Sequence, residues 1–151
     1  MNAVRFVLRP ATPADADLAW HLFKLTMRES IEAVWGKWDE IHWHRFFCDH
    51  FDPVQTQVVV VDGQDVGILR VEERIGEVLL DTVEIAPDHQ GRGLGSAIVR
   101  NVLAEAFRHD QAVCLQVNRA NRARALYEQL GFLEVDRTET HYLMRAQPPA
   151  R

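Results

Sequence analysis

The sequence predicts one α+β domain built on a mixed, mostly antiparallel sheet of seven strands with about four helices beside it. The element order carries this prediction: a strand, two helices, three strands, a helix, a strand, a helix and two final strands. Parallel pairing is expected only where the two later helices cross over. With 151 residues and a hydrophobic content of 47%, the chain is long enough to bury one core.

The first half starts with a strand over residues 4–9, "VRFVLR", and a helix for which Thr12 is the predicted N-cap. The segment "WDEIHWHRFFCDHF", residues 38–51, predicts a second, short helix. Two β-branched runs on either side of Asp62-Gly63 predict a hairpin, because this dipeptide favours a tight turn. "GEVLLDTVEIAP" predicts the next strand, which Pro87 ends.

In the second half, three glycines within five positions lead into an apolar pattern of helical spacing, "GRGLGSAIVRNVLAEAF". "AVCLQV" then predicts a strand. "NRARALYEQL" predicts a helix with Asn121 as its N-cap and Gly131 as its stop. Two last strands follow in "FLEVDRTETHYLMRA". The domain is expected to span residues 1–147, with 148–151 as a loose tail.

The glycine-rich segment predicts an anion site. A helix whose first turn is nearly bare of side chains leaves backbone N–H groups accessible, and the helix dipole adds partial positive charge there. A phosphate is the natural ligand of such a site. Two phosphate-binding motifs are excluded by spacing: the dinucleotide fingerprint, because Ser96 stands where its last glycine belongs, and the Walker A loop, because no lysine is near.

The stretch "QGRGLG" matches the pattern [Q/R]-x-x-G-x-[G/A] and resembles the pyrophosphate loop of the GNAT superfamily of N-acetyltransferases. "VNRANRARALYEQLGF" resembles the second signature of that family, and "VRFVLRPATPADAD" resembles its opening strand and helix. The resemblance covers most of the chain except about 31–54. It implies the GNAT fold and acetyl-CoA as the acetyl donor.

The resemblance also implies which residues contact acetyl-CoA. The loop from Gln90 to Ser96 would hold the pyrophosphate through its amides, and a gap beside the strand that carries Val83 and Ile85 would admit the pantetheine arm. Asn121 would face the cofactor, a role compatible with a simple N-cap. The loop residues are Gln90, Gly91, Arg92, Gly93, Leu94, Gly95 and Ser96.

Acetyl transfer to an amine needs a group that accepts a proton, because an alkyl amine is almost entirely charged at pH 7. The strand carboxylates Asp81 and Glu84 are the candidates, and their odd spacing puts them on opposite sheet faces unless a bulge intervenes. Gln116 stands where some protein-acetylating relatives carry a glutamate base, so that base is not expected here. Tyr127 matches the family's helix tyrosine, a general acid or a hydrogen-bond donor to sulfur, with core packing as its alternative.

The acceptor is expected to be the amine of a small molecule or a peptide. In the resembling family the segment after the first helix lines the acceptor site, and here it is rich in tryptophan and carboxylates. An aromatic wall with carboxylates suits an ammonium group. Trp38, Asp39 and Glu40 are the candidates for this role, with packing and solvent-facing roles as the alternatives.

Bulk properties exclude several other classes. The net charge of −5 argues mildly against nucleic acid as a partner, no stretch is apolar enough for a membrane span, and a cytoplasmic location is expected. No metal site is expected, because Cys48 and Cys114 lie far apart and His42 and His44 do not share a helix face. A homodimer through the sheet edges stays open. The alternatives to an enzyme are a non-catalytic coenzyme A-binding module and a cofactor-free interaction protein.

Overall fold

The computed structural model describes residues 4–150, which form one sheet of seven strands with helices against it. The strands are β1 (Val7–Pro10), β2 (Thr56–Val61), β3 (Gln64–Arg74), β4 (Glu77–Ile85), β5 (Ala112–Asn118), β6 (Leu133–Arg137) and β7 (His141–Ala146). The helices are α1 (Ala16–Trp35), α2 (Glu40–His50), α3 (Leu94–Arg108) and α4 (Arg124–Gln129), with 3₁₀ turns at Pro13–Asp15 and Pro87–His89. The predicted fold class and element order are confirmed.

The sheet has the strand order β1-β2-β3-β4-β5-β7-β6, and its neighbouring strands are antiparallel except for β4 and β5. The β2–β3 hairpin turns at Asp62 and Gly63, whose φ angles are 50° and 78°. Positive φ at both central residues is the geometry of the tight hairpin turn that this dipeptide favours. The hairpin prediction is therefore confirmed.

The parallel pair opens into a gap. Pairing between β4 and β5 runs only from Glu77 opposite Ala112 to Leu79 opposite Cys114. β4 then continues to Ile85 along β3, while β5 continues along β7. Since the two strands are parallel, the gap widens towards the carboxyl ends of both.

Two hydrophobic layers lie on opposite faces of the sheet. On one face, α3 and α4 pack over β4, β5 and β7 around the fully buried Ile98, Val113 and Phe132. On the other face, Leu22 of α1 and Phe47 of α2 pack against Ile68 of β3. Side chains of β4 therefore point into either the α3 layer or the α1 layer.

One predicted helix boundary is wrong. Helix α4 begins at Arg124 with Ala123 as its N-cap, rather than with Asn121. The N–H of Asn121 donates to the carbonyl of Asn118 at 2.8 Å, which closes a turn before the helix. The Asn121 side chain instead accepts the N–H of Ala123 at 2.9 Å within that turn.

Thr12 is an N-cap as predicted, but of the 3₁₀ turn that leads into α1. Its backbone N–H donates to the carboxylate of Asp15 at 2.8 Å, which fixes this turn before the long helix starts. Within residues 4–150, no helix combines the length and the apolar character that crossing a bilayer requires.

Candidate active site

The edge of β4 that faces the gap presents backbone groups. The N–H of Ala86 donates to the carbonyl of Val66 at 2.8 Å, so these two residues form a hydrogen-bonded pair of the β3–β4 ladder. Because such pairs alternate in an antiparallel ladder, Val83 and Ile85 turn their N–H and C=O groups away from β3 and into the gap. The side chain of Gln90 donates to the Ile85 carbonyl at 2.8 Å.

A β-bulge brings both strand carboxylates to the α1 face of the sheet. Arg70 is opposite Thr82 and Val71 is opposite Leu80, so Asp81 is the extra residue of β4. The bulge shifts the alternation by one position, which places Glu84 opposite Ile68 on the α1 face. The sequence predicts opposite faces for Asp81 and Glu84 unless a bulge intervenes, and the structure has that bulge.

The carboxyl of Glu84 is buried, with 7% of the residue exposed. Burial raises the pKa of Glu84 to about 8, the charge of Asp81 adds to the rise, and the hydroxyl of Thr26 on α1 opposes it. Asp81 is more open, and it accepts the hydroxyl of Thr82 at 2.9 Å. A carboxyl with a pKa near 8 can take up and release a proton near neutral pH, as a general base must.

Tyr127 approaches from the opposite layer. It is 8% exposed, and its ring lies edge-on to Phe132 with 5.7 Å between the centroids. Burial raises the pKa of Tyr127 to about 12, and the charge of Glu84 contributes to that rise. The phenol and the Glu84 carboxyl are therefore within electrostatic reach of each other, and the phenol stays a hydrogen-bond donor at all physiological pH values.

The N-terminus of α3 forms a backbone cradle. Gly91 and Gly93 have φ angles of 74° and 83°, a conformation that residues with side chains rarely adopt. Gly93 is the N-cap and provides no side chain, and the first helical bond runs from the N–H of Ala97 to the Gly93 carbonyl at 3.0 Å. The N–H groups of Leu94, Gly95 and Ser96 precede that bond and suit an anion.

The remaining residues of the predicted phosphate loop leave this cradle open. Arg92 is exposed, so its guanidinium is free to approach an anion. A Cβ atom on Gly95 would meet only Cδ2 of Leu126, at the ordinary contact distance of 3.8 Å. The fold itself therefore has room for alanine at Gly95, unlike the positions with positive φ.

The three predicted acceptor-binding residues have structural roles in the folded chain. Trp38 is buried and donates from Nε1 to the carboxylate of Glu40 at 2.6 Å, and Lys24 pairs with that carboxylate at 3.0 Å. Asp39 caps α2 by accepting the N–H of His42 at 3.0 Å. Asp39 and Glu40 nevertheless stay exposed, with 51% of the Glu40 side chain accessible, so their carboxylates can still meet an ammonium group.

Other aromatic side chains present the open surface. Trp35 at the end of α1 is 49% exposed, and its ring lies 5.8 Å from that of Trp43 and 6.1 Å from the imidazole of His141. His141 begins β7 opposite Asn118 at the end of β5. Neither His141 nor Asn118 is indicated by the sequence pattern, because only the strand register places them at the mouth of the gap.

Within residues 4–150, no group of three or more His, Cys, Asp or Glu side chains is arranged to hold a metal ion. The chemistry on offer is that of an anion cradle, a strand edge, a buried carboxyl and a phenol. These groups converge on one gap from both layers of the sheet.

This arrangement belongs to a known class of fold. The PaiA N-acetyltransferase from Thermoplasma acidophilum, solved in complex with coenzyme A, superposes with a TM-score of 0.77 at 11% identity and covers 95% of this chain and 99% of its own. An acetyltransferase from Thermus thermophilus superposes with a TM-score of 0.74 at 23% identity, covering 97% of this chain and 99% of its own. At these identities the likeness shows the fold alone.

Sequence comparison gives the family. The family model of the acetyltransferase (GNAT) domain matches residues 52–134, which is more than half of the chain and includes β4, the glycine loop and α4. The protein belongs to the GNAT acetyltransferase family. A [ribosomal protein bS18]-alanine N-acetyltransferase from Haemophilus influenzae is 29% identical over 85 residues, which are 56% of this chain and 58% of that relative. The match thus spans little more than half the length of this curated relative.

Proposed function

We propose that this protein is an acetyl-CoA-dependent N-acetyltransferase whose acceptor is a primary amine of a small molecule or peptide. The observation that carries the proposal is the convergence of the α3 cradle, the free edge of β4, Glu84 and Tyr127 on one gap. Family membership and the coenzyme A complex of a structural neighbour support it. The acceptor attacks directly in a ternary complex.

The cradle and the strand edge account for donor binding. The amides of residues 90–96 hold the pyrophosphate, with Arg92 beside them, and the β4 edge at Val83 and Ile85 binds the pantetheine arm as an added strand would. Asn121 lies in the turn beyond the carboxyl end of β5, the end towards which the gap widens, and would contact the cofactor there. Acetyl-CoA, when bound there, supplies a thioester carbonyl, whose oxygen the N–H of Ile85 stabilises as negative charge develops.

Glu84 accepts the proton that the amine must lose, directly or through a water, and Asp81 raises the affinity of Glu84 for that proton. The neutral amine nitrogen then bonds to the acetyl carbon, the carbon–sulfur bond breaks, and one of the two protons left on that nitrogen passes to the sulfur, which leaves as the free thiol. Tyr127 donates a hydrogen bond to the leaving sulfur. Full proton transfer from a phenol with a pKa of about 12 to a thiolate near 8.5 would run uphill by roughly 5 kcal/mol, so hydrogen bonding is the favoured role.

The aromatic residues near the gap account for acceptor binding. Trp38 and Glu40 bind each other and Asp39 caps α2, so that the two exposed carboxylates meet the ammonium group of the acceptor, while Trp35 and Trp43 offer ring surface beside them. A peptide amine is consistent with the name of the curated relative, an alanine N-acetyltransferase of a ribosomal protein.

The test combines calorimetric titration with acetyl-CoA and measurement of free thiol in the presence of primary amines. Saturable binding and amine-dependent thiol release are expected. Tyr127→Phe should bind acetyl-CoA as the wild type does and release thiol about 10- to 100-fold more slowly, because one hydrogen bond in the transition state is lost.

The other outcomes separate the competing functions. Binding without thiol release for any amine would indicate the non-catalytic coenzyme A-binding module. Absence of binding would contradict the assignment of the glycine loop. An undiminished rate in Tyr127→Phe would remove Tyr127 from the mechanism and leave it as a core residue.

A further inference from the structure

Asn118 carries a buried amide donor that has no hydrogen-bond partner among residues 4–150. The residue is 3% exposed, and its Oδ1 accepts the N–H of Ala120 at 2.8 Å. Its Nδ2 is buried and unpartnered within the same range. A buried donor without a partner is destabilising, so a ligand or an ordered water that accepts a hydrogen bond from it would stabilise the site.

The strand register places this donor across the gap from Glu84. Leu79 and Cys114 are the last paired residues of β4 and β5. Four residues further along β5 is Asn118, and five residues further along β4, of which Asp81 is the bulge, is Glu84. Asn118 and Glu84 therefore stand at the same level on the two sides of the gap.

Both side chains also face the same layer. Val117 belongs to the core under α3, and Tyr142 opposite it packs against that core, so the next pair, Asn118 and His141, faces the α1 layer. The ring contact between His141 and Trp35 of α1 supports this orientation. The cradle for the pyrophosphate of acetyl-CoA lies at α3, in the opposite layer, so Asn118 faces the side of the sheet away from that cradle.

We infer that Asn118 binds the acceptor, with Nδ2 donating to a carbonyl oxygen beside the amino group that Glu84 deprotonates. The inference rests on the proposed function and narrows it: the acceptor is an α-amino amide, as at the amino terminus of a peptide, rather than a simple alkyl amine. A donor that faces the amine site is positioned to pair with an acceptor atom of the same ligand. Trp35 and His141 then flank the first side chain of that peptide.

The test compares amino acid amides with the corresponding amines that lack the carboxamide, for example tyrosinamide with tyramine. The wild-type preference alone is not decisive, because an α-amino group is less basic than an alkyl amine. The decisive quantity is how substitution of Asn118 changes the ratio of kcat/KM between the two members of each pair. Free thiol is measured for all of them at one pH.

Two variants remove the amide donor: Asn118→Asp, which keeps an oxygen for the N–H of Ala120, and Asn118→Ser, whose shorter hydroxyl does not reach as far as the amide nitrogen. Both should lower the ratio of kcat/KM for the amides to kcat/KM for the matched amines at least about tenfold, mainly through KM for the amides. Acetyl-CoA affinity should stay at the wild-type value. Asn101→Asp is the matched control, because it makes the same asparagine-to-aspartate change at an exposed position of α3.

An equal loss for amides and amines, or a loss of acetyl-CoA affinity with an unchanged ratio, would overturn this inference while leaving the transferase intact. Acetylation of simple amines without acetylation of any amino acid amide would also overturn this inference and leave the transferase intact. Failure of every amine and amide despite bound acetyl-CoA would overturn the inference together with the proposed activity. Circular dichroism of each variant identifies a folding defect, in which case the serine variant decides.

Discussion

At the scale of single residues, Glu84 gains its position from one inserted neighbour. Asp81 is the bulge residue of β4, and without the bulge Glu84 would face the α3 core. The same neighbour contributes negative charge that helps to raise the pKa of Glu84. One local irregularity therefore both orients the carboxyl and tunes its proton affinity.

This arrangement predicts how the rate depends on pH. Glu84 acts as a base only when ionised, so kcat should rise with pH and level off above about 8. Glu84→Gln should lower kcat by about 10²- to 10⁴-fold and abolish that rise. The measurement is thiol release at saturating substrates between pH 6 and 9.

Asp81→Asn provides the matched control. Loss of the Asp81 charge should move the midpoint of the profile to lower pH and preserve most of the plateau rate, because Glu84 itself remains. A Glu84→Gln profile that coincides with the wild type would show that another group accepts the proton. A loss of rate in Asp81→Asn as large as in Glu84→Gln would assign the base to Asp81.

At the scale of elements, the start of α3 contains two kinds of glycine. Two are required by the backbone conformation, and the third is expected to be required by the ligand. Gly91 and Gly93 adopt positive φ, whereas Gly95 is helical and has room for a Cβ atom. Gly95→Ala should therefore keep or raise thermal stability, because alanine favours a helix by about 1 kcal/mol over glycine. It should also weaken acetyl-CoA binding, because the new methyl group meets the pyrophosphate.

Gly93→Asp is the comparison at the neighbouring position. It should abolish acetyl-CoA binding through its side chain and charge, and its positive φ adds strain that lowers the melting temperature. Calorimetric titration and thermal unfolding of both variants check this. Unchanged affinity in both variants would show that no phosphate lies on the α3 cradle.

Elements also show how far the sequence predicts the structure. The Asp62-Gly63 turn, the α3 pattern and the order of elements are predictable because each depends on neighbours in the chain. The bulge at Asp81 is only an open alternative at the level of sequence, since it arises from register against β3. Asn118 gives no signal for the same reason: the pairing of distant strands decides which residues lie near it at the gap.

The acceptor region is a second place where the sequence predicts the structure only in part. Tryptophans and carboxylates near residues 35–43 indicate an aromatic, acidic segment, but not which of them remain open. Trp38 is buried, whereas Asp39 and Glu40 stay exposed while Asp39 also caps α2 and Glu40 also binds Trp38. Local composition predicts the character of such a surface, and only the tertiary contacts select the exposed members.

At the scale of the whole molecule, groups with opposite pKa shifts set the pH range of stability. Arg9 binds the carboxylates of Asp15 and Asp65 at 2.8 and 3.0 Å, and its hydrogen bond to Asp15 lowers the pKa of that carboxyl to about 2. This contribution is present above the ordinary pKa of an aspartate and is lost as the pH falls towards 2. Glu84, with its raised pKa, acts in the opposite direction.

The folded protein keeps a proton on Glu84 up to about pH 8, whereas the unfolded chain releases it near 4.5. Between these values the folded state binds more protons, so the free energy of unfolding falls by about 1.4 kcal/mol per pH unit, on the order of 5 kcal/mol in total. Glu84→Gln removes this dependence because glutamine does not ionise. Its stability relative to the wild type should therefore increase from pH 5 to pH 8.5.

Urea unfolding of both proteins at the two pH values measures this difference, and Asp81→Asn should give a smaller change of the same sign, since it removes only the repulsion. A difference between Glu84→Gln and wild type that stays constant with pH would mean that the buried carboxyl has an ordinary pKa in the folded state. A gain in stability together with a loss of turnover would show that this fold keeps a destabilising carboxyl in its gap because the reaction uses it.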